Sequence, residues 1–271
     1  MSGPAMIYGL AWKEERTASL ARQALDAGFR AFDTANQRKH YFEAGLGEAI
    51  AGWVADGRRG ELWIQTKYTF HRGQDHRLPY DPSAPVREQV HQSARSSLEH
   101  LGVEQVDSLV LHGPSTGQGL TDADREAWRG LEELLEAGVT AAIGLSNCSA
   151  DQIAAFVEQA RHPVSWVQNR CYARHGWDAA ARSVCEANGI RYQGFSLLTA
   201  NRASWAHPET LQVAKQLGRT PAQVLYGLAL ALGQVPVTGT TDGAHVGEAL
   251  AVLGLPPLSP FHVDRLVGLE R

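Results

Sequence analysis

Apolar residues in this chain fall into two patterns that alternate from one end to the other. The first is a compact run of six to eight residues, rich in β-branched or aromatic side chains, at 6–11, 30–35, 62–68, 106–112, 141–146, 165–170, 190–197 and 235–240. Runs of this kind bounded by turn residues suit strands buried on both faces. The second is a stretch with apolar residues three or four positions apart, as in 86–101 (Val86, Val90, Ala94, Leu98, Leu101) and 125–138 (Trp128, Leu131, Leu134, Leu135). That spacing lays one apolar stripe along a helix. Ser149 and Gln152 read as a capping box opening one such helix, and Gly138 and Gly189 fall where helices should stop.

Eight strand-then-helix units of about 30 residues, with no linker long enough to separate domains, predict an α/β fold of the (β/α)8 TIM-barrel type, a single domain spanning residues 1–271. A doubly wound sheet suits this count less well. The Pro-rich stretch 78–85 follows the third strand and belongs on the face that carries chemistry in such barrels. A second Pro cluster, 255–260, should turn the chain into a short C-terminal helix.

Composition narrows the partners. Hydrophobic residues make up 44% of the 271 and charged ones 20%, enough for a sizeable core. The net charge is -4 with no run of five like charges, so neither nucleic acid nor an anionic membrane is expected, and a small molecule is. Cys148, Cys171 and Cys185 lack CxxC spacing, which argues against a disulfide framework or a thiolate zinc site. MSGPAMIYGLAW has no leader pattern, and no run approaches the roughly 18 apolar residues of a membrane span. A cytoplasmic monomer or small homo-oligomer is the expectation.

Several site signatures are missing. No Gly precedes Lys, which excludes a P-loop; Gly45-Leu-Gly47 lacks the third glycine of a dinucleotide fingerprint; HxH and HExxH do not occur, and no metal site is expected. In a (β/α)8 barrel the chemistry sits at the carboxyl ends of the strands. Those tips carry Asp33, Lys67, His112, Ser146-Asn147, Gln168-Asn169, Phe195-Ser196 and Thr240-Thr241. Taken singly, an Asp there is a turn residue, a Lys a snorkelling surface chain and a His a satisfied core residue. A carboxylate, an ammonium and an imidazole at three successive tips point to a reaction centre.

With those tips in place, the chain resembles the aldo-keto reductases from Tyr8 to about Leu250. The resemblance is carried by GFRAFDTAN (28–36), TKYT (66–69), SSLEHLGVEQVDSLVLHGP (96–114), WRGLEELLEAGVTAAIGLSN (128–147), VQN (167–169) and TPAQVLYGLAL (220–230), in family order and spacing. It implies NAD(P)H-dependent reduction of a small carbonyl substrate by a tetrad of Asp33, Tyr41, Lys67 and His112. The family tyrosine usually follows the aspartate by five residues, where this chain has Arg38, so an enlarged loop is inferred, with Tyr41 as proton donor and His40 as its neighbouring alternative.

Physically, a phenol with a reference pKa of about 10 needs an adjacent ammonium to lower that value, and a carboxylate to hold the ammonium. The resemblance gives those roles to Lys67 and Asp33, and the substrate oxygen to His112. It further implies a nicotinamide site of Ser146, Asn147, Gln168 and Phe195, continuing through Ser196 and Leu198 to Gly239, Thr240, Thr241 and His245, where the helix beginning near Ala244 offers its N-terminus to a phosphate. NADPH is the implied cofactor and NADH the alternative, because Gly239, Thr240 and Thr241 stand around the family's lysine position, His245 near its arginine and Ala249 in place of an asparagine, while Asp242 adds negative charge. Trp12, Tyr68 or Phe70, and Gly113, which stands where many relatives have tryptophan, are expected around the substrate, with Arg202 and Trp205 over the cofactor. An open pocket is expected, without the long C-terminal loop and N-terminal hairpin of many relatives. The competing readings are a nicotinamide-binding regulatory subunit with little turnover and a Schiff-base aldolase using Lys67.

Overall fold

The computed structural model describes residues 3–270. Eight parallel strands close into a barrel in sequence order: β1 (Ile7–Gly9), β2 (Ala31–Asp33), β3 (Trp63–Tyr68), β4 (Ser108–Leu111), β5 (Ile143–Ser146), β6 (Trp166–Arg170), β7 (Arg191–Phe195) and β8 (Gln234–Thr238), with β8 pairing back to β1. Each lies within its predicted run or starts one residue ahead of it, and the run 235–240 ends two residues early as strand, leaving Thr240 in a loop.

The helices are α1 (Thr17–Asp26), α2 (Glu43–Ala55), α3 (Val86–Leu101), α4 (Asp122–Glu136), α5 (Ala150–Gln159) and α6 (Ala179–Ala187). They continue with α7 (Arg202–Ala206), α8 (Pro208–Leu217), α9 (Pro221–Ala231), α10 (Gly243–Ala251) and α11 (Pro260–Val267). Local chemistry sets their ends. Capping boxes open α4 at Thr121, α5 at Ser149 and α9 at Thr220, and Gly102 takes a left-handed conformation (φ 65°) to stop α3. The short C-terminal helix expected after the second Pro cluster is α11, capped by Ser259. No helix among the described residues is long and apolar enough to cross a membrane.

Strand alternation separates two interiors. Ile64 and Tyr68 face the helices, in the large core that also takes Trp128, Phe156 and Leu225. Trp63 faces the barrel axis, against a smaller cluster of Ile7, Ala31, Trp166, Val235 and Val237. Trp63 and Trp166 meet edge to face at 5.2 Å, and the Arg191 guanidinium covers Trp166 at 4.7 Å. These groups fill the amino end of the barrel and leave its carboxyl rim to polar side chains.

The segment from 34 to 42 is the part of the fold that most shapes the rim. Residues 36–41 within it are polar and carry Arg38, Lys39 and His40, yet Asn36 and Gln37 are each only 6% exposed. Asn36 donates to the Ser93 carbonyl at 2.9 Å, Gln37 to the Gly73 carbonyl at 2.6 Å, and Gln74 returns a bond to the Asn36 carbonyl at 2.8 Å. Polar residues bury without loss once their amides are paired, which hydropathy does not reveal.

Below this loop α2 is pressed on α3 at Gly47, where an added Cβ would lie 2.1 Å from the His100 carbonyl oxygen. Gly52, in the same helix, has open space around it. Gly47→Ala is therefore expected to lower stability by about 1–3 kcal/mol through overpacking, whereas Gly52→Ala should stabilise by roughly 0.5–1 kcal/mol through helix propensity. Urea denaturation of both variants checks the pair; equal effects would show that α2 does not dock through Gly47.

Candidate active site

The centre of the rim is a buried ion pair. Lys67 Nζ lies 2.6 and 2.7 Å from the two Asp33 carboxylate oxygens and donates its remaining proton to the Thr34 carbonyl at 2.7 Å. Both side chains are almost fully buried. Burial pulls the Lys67 pKa below the ordinary lysine value, and the Asp33 carboxylate opposes that shift. With all three ammonium protons engaged, Lys67 is held as a cation and not as a free amine nucleophile.

Beneath the pair lies a polar layer that hydropathy alone did not single out. Asp33 Oδ1 also accepts from Gln65 at 2.7 Å and from Gln168 at 3.0 Å. Gln193 accepts from both glutamines at 2.8 Å, and Gln65 in turn accepts from Gln193 and Ser108, each at 3.0 Å. The available signal was period two: Gln65 and Lys67 share one face of β3, as Gln193 and Phe195 share one face of β7.

Above the pair, Asp33, Tyr41 and His112 line one cleft of about 400 Å³ with Trp12, Ser146, Asn147, Gln168, Phe195, Ser196 and Leu198. Lys67 Nζ is 5.0 Å from the centre of the Tyr41 ring, and the His112 ring meets that ring edge-on at 5.8 Å. His40 turns the other way: its ring stacks on Trp12 at 3.9 Å and its Nδ1 pairs with Gln37 at 2.9 Å. The loop after β2 thus brings Tyr41, and not His40, to the lining of the cleft.

The electrostatics differ in one respect from the expectation. Burial first, and the Asp33 carboxylate second, push the Tyr41 phenol well above its usual value of 10.0, where a lowering by Lys67 was expected. The ammonium protons all point to Asp33 and Thr34, so Tyr41 rests as a neutral phenol. His112 is driven well below 6.5 by burial, then by the nearby charges of Lys67 and His40, and rests as a neutral imidazole. Its Nδ1 is fixed by the Thr69 hydroxyl at 2.7 Å.

Along the rim, Leu198, Thr199, Tyr226 and Thr240 line both this cleft and a second one of about 670 Å³ that reaches Arg202, Trp205, His245 and Glu248. Sharing these four residues, the two adjoin as one trench along the rim. Asn147 donates to the His112 carbonyl at 2.7 Å and Ser146 to the Gln168 carbonyl at 2.7 Å, which leaves the amide oxygens of Asn147 and Gln168 without a donor among the described residues. Gly239 lines the wall, and behind it Lys13, missed from sequence, sets its buried Nζ 2.6 Å from the Gly239 carbonyl; burial and the neighbouring Arg16 lower its pKa to about 8.

Some expected residues stand elsewhere. Tyr68 is not in the cleft: as the neighbour of Lys67 on a strand it faces the opposite side, bonds Gln89 at 3.1 Å and packs on Phe70 and Tyr80. Gly113 and Phe70 line a separate cleft beyond His112. Thr241 is exposed and outside both parts of the trench. The α10 N-terminus is already capped by Asp242, which accepts from the amides of Ala244 at 2.8 Å and His245 at 3.2 Å, so those donors are not offered to a phosphate. Among the described residues no three His, Cys, Asp or Glu side chains cluster as a metal site would require.

Comparison with known proteins finds relatives over nearly the whole chain. The sequence profile of the Aldo/keto reductase family matches residues 5–271. An "Aldo-keto reductase" of Mycolicibacterium paratuberculosis is 31% identical over 258 residues, covering 95% of this chain and 82% of that protein. The "2,5-diketo-D-gluconic acid reductase B" of a Corynebacterium species is 30% identical over 269 residues, covering 97% and 87%. Among solved structures, an aldo-keto reductase from a Medee basin deep-sea metagenome library superposes with a TM-score of 0.85 at 18% identity, covering 100% of this chain and 93% of that one. The silkworm (Bombyx mori) aldo-keto reductase complexed with NADPH does so with a TM-score of 0.83 at 24% identity, covering 99% and 85%.

The half-buried, neutral imidazole of His112 ties stability to pH. Because the folded pKa of His112 lies below the unfolded value of 6.5, its contribution is complete above pH 6.5 and is lost as pH falls from there toward the folded pKa. Between about pH 7 and about pH 5.5 the protein should lose about 1 kcal/mol more stability than His112→Gln. Urea titrations across that range check it, and parallel curves for the two proteins would contradict a neutral His112.

Proposed function

The chain belongs to the aldo/keto reductase family, and we propose that Tyr41 is its proton donor, with Asp33, Lys67 and His112 completing the site of carbonyl reduction. Members of this family carry out NAD(P)H-dependent carbonyl reduction. The observation that carries the assignment is the placing of Tyr41 and His112 over the Lys67–Asp33 pair in one cleft.

The trench beside these residues fits a nicotinamide dinucleotide, which when bound supplies the hydride. Phe195 at the cleft wall offers a face for the nicotinamide ring, and the amide oxygens of Asn147 and Gln168 suit its carboxamide N–H groups. Tyr41, protonated at neutral pH because burial holds its pKa high, keeps a hydroxyl proton ready for the carbonyl oxygen. As that proton leaves, the Lys67 ammonium, 5.0 Å from the ring centre, stabilises the phenolate.

His112 orients the carbonyl. With the Thr69 hydroxyl donating to Nδ1, the ring proton resides on Nε2, which then donates to the substrate oxygen. Three free, buried cysteines fit a reducing cytoplasm.

Cofactor choice follows from charge. Gly239 and His245 bring no fixed cation to the wall, Asp242 and Glu248 bring anions, and the cations are Arg202 on the second cleft and Lys13 behind Gly239. Tryptophan-fluorescence titration is expected to give NADPH and NADH affinities within about tenfold of each other, and a preference above about 100-fold for either would overturn this account.

Tyr41→Phe should reduce turnover of aromatic aldehydes, followed at 340 nm, by about 10²–10⁴-fold with cofactor affinity retained. An active phenylalanine variant would remove Tyr41 from the mechanism. Tight cofactor binding by the unaltered protein without any carbonyl reduction would favour a regulatory role.

A further inference from the structure

We propose that the carbonyl substrate of this site carries an anionic arm, and that Arg72 receives it in the cleft on the far side of His112. This rests on the carbonyl-reductase reading and adds the chemical class of what enters. The cleft has a volume of about 450 Å³ and shares His112 and Asn147 with the catalytic one, so the two meet at the imidazole.

Its lining comes from the loops that follow β2, β3, β4 and β5 and from the first turn of α5, and is rich in neutral hydrogen-bonding groups, including Gln37, Thr116 and Gln152. Among the described residues Arg72 is the one formal charge lining it, with no Asp or Glu there and the His112 ring neutral. The Arg72 guanidinium donates one bond, from Nη2 to the Pro114 carbonyl, which ties the loop after β3 to the loop after β4. Among the described residues Arg72 has no carboxylate partner, whereas Arg38, Arg77 and Arg87 around the same face of the barrel are paired with Glu15, Asp75 and Glu126. A guanidinium held in place with its other N–H groups free is the usual receiver of a carboxylate or phosphate.

Gly113 adds no side chain to the cleft beside His112. Its backbone is not in the left-handed region, and a Cβ there would make only ordinary contacts, 3.5 Å from Asn147 Cβ and 3.7 Å from the Ser146 oxygen. The backbone does not require glycine at this position. Its absent side chain leaves room beside His112 for an arm that starts at the carbonyl and ends at Arg72.

Two matched aldehyde pairs test the proposal: 4-carboxybenzaldehyde with benzaldehyde, and succinic semialdehyde with butanal. For at least one pair, kcat/KM should favour the carboxylated member by about tenfold or more. Arg72→Gln should raise KM for that member about tenfold, change kcat by less than about twofold and move KM for its neutral analogue by less than about threefold. Arg72→Lys should fall between the two, and Gly113→Leu should raise KM for the carboxylated member most. Calorimetric binding of 4-(hydroxymethyl)benzoate and 4-hydroxybutyrate, measured with and without NADP+, gives a readout free of turnover and should weaken about tenfold in Arg72→Gln.

Equal losses for both members of each pair in Arg72→Gln, or no preference in the unaltered protein, would overturn the anionic arm while leaving carbonyl reduction standing. Arg72-dependent binding of the carboxylated alcohols without reduction of any aldehyde would sink carbonyl reduction and leave the subsite.

Discussion

Everything at the rim depends on a charge pair that the barrel buries. Taking Lys67 and Asp33 out of water is costly, and the arrangement holds only because each lone pair and proton finds a partner. Lys67 is satisfied by Asp33 and Thr34, and Asp33 is shared among Lys67, Gln65 and Gln168. Deleting one member would strand a charge in the interior, at a cost on the order of 3–5 kcal/mol. The polar layer of Gln65, Ser108, Gln193 and Gln168 is thus part of the same device, since it fixes the carboxylate from four different strands.

That device sets the resting state of its neighbours. In a dry site beside a carboxylate, a phenol stays protonated; beside an ammonium, an imidazole stays neutral. Burial first, and then one ion pair acting in opposite senses, holds both Tyr41 and His112 uncharged. In the proposed reaction, the negative charge that builds on the carbonyl oxygen meets two donors and a fixed cation already in place.

The barrel supplies positions, and the loops decide what can use them. The loop after β2 carries Tyr41 over the rim because Asn36 and Gln37 nail it to Ser93 and Gly73. The loops after β3 and β4, joined by Arg72 and Pro114, open a second cleft beside His112 where a bulkier residue than Gly113 would stand in the way. The segment after β8 caps its own helix with Asp242 and leans on Lys13 from the first loop for positive charge.

The strand count, the caps and the residues at the strand tips were legible in the chain by itself. Strand runs, the Ser149 box and the stops at Gly138 and Gly189 are local matters of period and backbone freedom, and β3 keeps Lys67 on the barrel side whatever surrounds it. The same periodicity, applied one residue further, would have turned Tyr68 to the helices, where it packs on Tyr80. Other features were not local. Whether Asn36 and Gln37 are wet or buried depends on carbonyls 36 to 57 residues away, and whether Tyr41 or His40 reaches the cleft depends on Trp12 taking the histidine ring. Likewise, the direction of the Tyr41 shift depends on how deeply the folded chain buries it and on where Lys67 sends its protons, which composition cannot encode. Sequence determined which chemical groups arrive at the rim; only tertiary structure decided which of them face one another, because burial and hydrogen-bond partners are properties of distant segments brought together.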